Sequence, residues 1–117
     1  FANRAVRWKQ RMKELTESLP KPIYGYGAST QGGTLLQYLD VPGLQEAVAE
    51  RNPLKYGTVQ SGVWSPIIPE SEMREAAPGT LFVLPWAFRD EFIEREDALR
   101  AAGTFLLFPL PHIEMVL

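Results

Sequence analysis

The sequence predicts an α/β domain: a three-layer sandwich in which a mostly parallel sheet of four to five strands carries helices on both faces. Three observations predict it. Strand-like and helix-like segments alternate along the chain, the pattern of parallel strands joined by helical crossovers. Two runs, Thr80-Leu-Phe-Val-Leu84 and Thr104-Phe-Leu-Leu-Phe108, are continuously apolar and β-prone, as strands covered on both faces must be. A glycine-rich stretch lies between the first strand and the helix after it.

Composition bounds the rest. The chain has 117 residues, 45% hydrophobic and 22% charged, enough for one core in one domain. A formal net charge of −2 gives no bulk attraction to nucleic acid or to anionic membranes, so neither is expected as a partner. There is no cysteine and a single histidine, which argues against disulfides and against a zinc or other transition-metal site. A cytoplasmic location is the resulting expectation. The apolar runs are too short to span a bilayer. The chain opens at Phe1 and closes on Met115-Val-Leu117, and both ends read as cuts from a larger chain.

In order, residues 1–20 form an N-terminal helix, with Trp8, Met12, Leu15 and Leu19 on one face, Asn3 as cap and Pro20-Lys-Pro22 as terminator. Its basic side, Arg4, Arg7, Lys9, Arg11 and Lys13, reads as a solvated face. Residues 21–117 form the domain proper. Pro22–Gly25 is a strand, Gly25–Gly33 a turn and Thr34–Leu39 a helix; Gln45–Glu50 suits a strand better than a helical turn. Residues 52–69 are irregular, with a short strand possible at Val63–Ile68. A brief helix at Ser71–Ala77 precedes the strand Thr80–Leu84, and Pro85 ends that strand. Phe88, Phe92, Ile93 and Leu99 mark one acidic helix that Gly103 stops. The strand Thr104–Phe108 and an edge piece at Ile113–Val116 complete the chain.

Ligands of open α/β sheets sit outside the carboxyl ends of the strands. The segments after the strands offer Gly25, Gly27, Ser29, Thr30 and Gln31 from the glycine-rich turn, with Asn52, Lys55, Trp86 and Arg89 beyond it. Glycines let the backbone approach a phosphate and hydroxyls add donors; they also make tight turns and close packing with no ligand present, and both readings stay open. Trp86 also suits core packing, and Arg89 suits a pair with Glu94 or Asp90. The carboxylates of residues 90–97 read as a solvated helix face. No catalytic apparatus is visible. His112 lacks a convincing orienting partner, and no metal ligand set is present.

Four stretches, Tyr24-Gly-Tyr-Gly-Ala-Ser-Thr30, Arg51-Asn-Pro-Leu-Lys-Tyr-Gly57, Leu84-Pro-Trp-Ala-Phe-Arg-Asp90 and Phe108-Pro-Leu-Pro-His-Ile-Glu114, together resemble the C-terminal domain of S-adenosylmethionine-dependent sugar C-methyltransferases. The resemblance runs in order from about Lys21 to Leu117. It implies a Rossmann-like domain of a larger enzyme that also has an N-terminal zinc-binding region and a middle domain, absent here, that binds S-adenosylmethionine and carries the catalytic residues. The implied reaction methylates a carbon of a nucleotide-linked keto sugar: a base removes the acidic α-proton and the enolate attacks the donor methyl. The implied role of this domain is to help hold the nucleotide sugar, with the Gly25–Gly32 turn facing the diphosphate. The chain departs from the pattern at Gln31, where lysine is common, at Gly33, where asparagine is common, and at His112, where an acid is usual.

The leading expectation is a substrate-binding and structural domain, not catalytic by itself and without a cofactor of its own, that partners the nucleotide sugar and the methyltransferase domain of the same chain. The alternatives are an independent Rossmann-like module for NAD or coenzyme A, with Glu50 as the ribose-binding acid, and a scaffold or dimerisation domain without a ligand, which exposed Trp8, Trp64 or Phe88 would favour.

Overall fold

A computed structural model describes residues 2–28, 30–41, 43–60 and 65–117, with the backbone alone described at residues 2, 3, 30 and 31. The first helix, α1 (Ala2–Ser18), buries Met12 and half-buries Trp8 and Leu15, and Leu19 is buried just past its end. Arg4, Arg7, Arg11 and Lys13 face solvent. The helix begins at Ala2, so Asn3 lies within its first turn and is not the cap. The Lys21 ammonium donates to the Thr16 carbonyl at 3.2 Å, near the end where helix carbonyls lack partners.

The chain continues through β1 (Ile23–Tyr26), α2 (Thr30–Leu39), β2 (Val48–Glu50), β3 (Ile67–Pro69), α3 (Glu70–Ala76) and β4 (Thr80–Val83), then α4 (Arg89–Arg95), α5 (Asp97–Ala101), β5 (Phe105–Phe108) and β6 (Glu114–Val116). One sheet results, in the order β3-β2-β1-β4-β5-β6. All pairings up to β5 are parallel and β6 is antiparallel to β5. The fold is therefore α/β with a mixed, mostly parallel sheet of six strands, not four to five. Both edge segments left open by the sequence do pair, and each is only three residues long, too short for a periodic signal.

Side chains alternate across the sheet. Phe82 and Leu84 join the apolar cluster that includes Met12 and Leu36, on the α1 and α2 side. Leu81 and Val83 join the cluster with Met73, Phe92 and Leu99, on the side of α3, α4 and α5. Both faces of the sheet are thus apolar, which is why the runs Thr80–Leu84 and Thr104–Phe108 show no polar alternation. The crossover from β2 to β3 differs: among its described residues only the 3₁₀ turn Pro53–Lys55 is helical.

Three local outcomes differ from expectation. The strand expected from Gln45 is shorter, and the buried Gln45 amide instead donates to Gln60 Oε1 at 3.2 Å and Ser65 Oγ at 3.0 Å. Gly25, expected at the junction of strand and turn, lies inside β1, and a Cβ on it would collide with the Gln45 amide. The single helix expected through Leu99 divides at Glu96 into α4 and α5.

Gly79, just before β4, packs on the end of the first helical segment. A Cβ there would lie 2.6 Å from the Pro20 carbonyl carbon and 2.7 Å from its oxygen, and those backbone atoms are held by the Thr80 hydroxyl, which donates to Pro20 O at 2.8 Å. Gly79→Ala is expected to destabilise the domain by about 2 kcal/mol, the scale of overpacking in a close-packed contact. A urea-denaturation midpoint equal to that of the parent would show that the Pro20 segment yields freely.

Candidate functional site

In open parallel sheets the crevice outside the strand carboxyl ends is deepest where the strand order reverses. Here that point lies between β1 and β4, because the chain runs outward from β1 to β3 and then crosses back to β4. A cleft of about 300 Å³ opens there. Tyr26, Gly27 and Ala28 at the end of β1 form its floor, and Pro85, Phe88 and Phe92 form an apolar wall. Glu50 and Arg51 from the end of β2, Glu70 from α3, and Glu91 and Arg95 from α4 complete the lining. Gly27 has φ +86°, and a Cβ there would meet Pro85 Cγ at 2.6 Å, so floor and wall touch only because the residue is glycine.

Behind the floor lies a charged network. Glu96 is 2% exposed and Tyr26 1%. The Tyr26 hydroxyl donates to Glu96 Oε2 at 2.5 Å. Arg74 donates through Nε and Nη2 to the two Glu96 oxygens, at 2.9 and 2.7 Å, and through Nη2 to Glu70 Oε1 at 3.1 Å. Arg95 donates to Glu91 Oε1 at 2.8 Å and to the Tyr26 hydroxyl at 3.4 Å, and it lies 3.7 Å from Glu70 Oε2. Its guanidinium also covers the Phe92 ring at 5.0 Å, while Tyr26 meets that ring edge-on at 4.7 Å. Burial pushes the Tyr26 hydroxyl well above its ordinary pKa and the Glu96 carboxylate beside it adds to the effect. Glu96 in turn raises Arg74 above the usual guanidinium range.

The turn after β1 is stitched by its neighbours. Glu50 accepts the Ala28 N–H at 3.0 Å and the Asn52 N–H at 2.8 Å. Lys55 Nζ donates to the Ala28 carbonyl at 2.7 Å and lies 3.9 Å from Glu50 Oε1. Asn52 Oδ1 accepts the Leu54 N–H at 3.1 Å, capping the 3₁₀ turn.

Of the residues singled out in the sequence, Gly27 lines the cleft. Gly25 makes room for Gln45, Asn52 caps a turn and Lys55 holds Ala28. Trp86 is half-buried outside the cleft lining. Arg89 is bidentate to Glu114 at 2.6 and 2.9 Å and reaches Asp90 at 2.7 Å, which joins α4 to β6 and holds the Glu114 carboxyl below the usual range. Ser29 lies outside the described residues, as do the side chains of Thr30 and Gln31. Trp64 is outside them too, Trp8 is half-buried with its indole N–H donating to Pro109 O at 2.8 Å, and Phe88 is 61% exposed.

Tyr26, Arg51, Glu70, Phe88, Glu91, Phe92 and Arg95 were not singled out as ligand-binding residues. Glu91 and Arg95 stand four apart on a helix, a spacing that marks an ion pair. Glu96 corrects the reading of residues 90–97 as a solvated face, since the break between α4 and α5 turns it inward. Among the described residues, no group of three or more His, Cys, Asp or Glu is placed to hold a metal ion, and no helix is long and apolar enough to cross a membrane.

Sheet and cleft together define an α/β domain with a ligand-sized crevice at its strand carboxyl ends. A family model described as the C-methyltransferase C-terminal domain matches residues 1–111, and the chain belongs to that family. It is a methyltransferase-associated domain. No curated protein matches it by sequence.

The Tyr26 hydroxyl has a stability signature. An unfolded tyrosine ionises near pH ~10, whereas the folded one is pushed higher, so its stabilising effect is complete below pH ~10 and is lost as pH rises toward the folded value. Tyr26→Phe is expected to cost about 1 kcal/mol at neutral pH. The gap between parent and variant should then shrink above pH ~10. Denaturation midpoints across that range test this, and a gap independent of pH would refute it.

Proposed function

We propose that this chain is the substrate-holding domain of an S-adenosylmethionine-dependent C-methyltransferase acting on a nucleotide-linked sugar. The observation that carries the reading is the cleft at the carboxyl ends of β1, β2 and β4 in a chain that belongs to the C-methyltransferase C-terminal domain family. The strand order and the helices on both faces support a Rossmann-like description, although the β2 to β3 crossover has only a 3₁₀ turn among its described residues. The domain supplies binding and not chemistry: the carboxylates of the cleft are engaged by neighbouring amides and guanidiniums, and none is poised as a free base.

One observation counts against placing the methyl donor in this cleft. Glu50 stands at the end of β2, where an acid would grip a ribose diol, but both of its oxygens accept backbone N–H groups. The same commitment counts against an NAD module. We therefore assign S-adenosylmethionine and the catalytic base to the methyltransferase domain of the same polypeptide, and the nucleotide sugar to the boundary between the two.

Calorimetric titration with a dTDP-linked keto sugar, beside NAD, tests the reading: heat is expected from the first and none from the second. Gly27→Val, which forces a side chain against Pro85 at a positive φ, is expected to weaken sugar-nucleotide binding about tenfold by displacing floor from wall. Binding of NAD with no binding of the nucleotide sugar would overturn the proposal.

A further inference from the structure

The two edges of the sheet are treated differently. At the β3 edge the chain folds back on itself: the Gly57 N–H donates to the Ile67 carbonyl at 3.2 Å, the Ile67 N–H to the Thr58 carbonyl at 2.9 Å, and Val59 bridges Pro66. At the other edge β6 closes the strand order, and among the described residues no strand pairs with its outer side. Open edges are ordinarily guarded by charge or by proline. Pro109 and Pro111 precede β6 and do not lie in it. Its one charge, Glu114, is held by Arg89 in a bidentate pair, so it does not guard the edge.

Cross-strand partners share a face of a sheet. Leu107, the partner of Met115, lies in the apolar cluster beneath α1, so alternation puts Ile113, Met115 and Leu117 on the α1 face. The helix does not cover all of them. Met115 is 37% exposed and Leu117 57%, and an open groove of about 310 Å³, lined by Arg11, Glu14, Leu15 and Ile113, runs between helix and strand. The charges of Arg11 and Glu14 cancel, so the groove presents no net charge to a copy of itself.

We propose that β6 is a self-association edge: two copies of the chain pair their β6 strands antiparallel about a two-fold axis at Met115 and so join their six-stranded sheets. An antiparallel strand paired with its own copy is self-complementary, as one patch used twice must be. Side chains set the register. With Met115 on the axis, Glu114 meets the partner's Val116, and Leu117 comes across from the partner's Ile113, at the groove beside Leu15. With Glu114 on the axis two carboxylates would face one another, which is destabilising. With Val116 on the axis Leu117 would lie opposite Met115, away from the groove. The antiparallel arrangement carries the basic first turns of the two α1 helices apart, and it points the two clefts in opposite directions, so pairing is independent of the ligand site. A three-residue strand and one groove make a small interface, with a dissociation constant on the order of 10 μM.

Sedimentation equilibrium of the 117-residue chain from about 1 μM to about 500 μM, a range that brackets a weak interface, tests the pairing. A monomer–dimer equilibrium is expected. Met115→Lys and Met115→Glu should each weaken it about tenfold, because each sets like charges opposite one another on the axis. An equimolar mixture of the two variants should restore association, since unlike charges then meet. Leu117→Lys should weaken dimerisation as well, by removing the apolar side chain that faces the groove. Both side chains are exposed, so unfolding is not the expected cause, and melting temperatures check this. A parent chain that stays monomeric throughout the range, a dimer unchanged by both Met115 variants, or a mixture that associates no better than either variant alone would overturn the proposal and leave the edge to another segment of the polypeptide. The substrate-holding reading is untouched by any of these results.

Discussion

The carboxylate of Glu96 is sealed from water, and a charge in that position is tolerated only when partners surround it. Those partners come from separate elements: Tyr26 from β1 and Arg74 from α3, with Glu96 itself at the junction of α4 and α5. Such a network adds little net stability, because desolvation offsets most of the attraction. What it supplies is register. Sliding α3 or α4 along the sheet would strand a buried charge, so the helices that wall the cleft are held at fixed positions relative to the β1 end that floors it. Glu70 and Arg95 extend the same network to the cleft surface.

A second set of bonds closes the other side. A glycine-rich turn with unsatisfied amides would be free to cradle an anion. In this protein the Ala28 amide and carbonyl are already given to Glu50 and Lys55, so that part of the turn is shaped by β2 and by the 3₁₀ turn following it. The backbone at Ala28 is thus held from within the chain.

Much of this was legible in the sequence, and the exceptions have physical causes. The alternation of elements, the two strands buried on both faces and the amphipathic first helix follow from apolar periodicity, and all are present. The convergence of strand ends pointed to the end of the sheet where the cleft opens. It did not point to most of the side chains that line the cleft, because which of them turns inward depends on short-range geometry. After β4 the chain makes a 3₁₀ turn, which sends Phe88 to the cleft and leaves Trp86 outside its lining. Gly25 belongs to a strand and answers to Gln45, a contact across 20 residues that no local pattern reveals. Glu96 looked like its acidic neighbours until the helix break turned it inward.

The indole of Trp8 is bonded to the carbonyl of Pro109, 101 residues later. The two halves of that tether are synthesised 101 residues apart, so the first helix leaves the ribosome well before this anchor exists. Through that interval its apolar face, with Met12 at the centre, lacks the contribution of Leu107 from β5 to the same cluster. The seal between α1 and the β5 end therefore forms once, when the sheet is nearly complete, and a nascent chain halted before residue 109 would carry its first helix without that anchor.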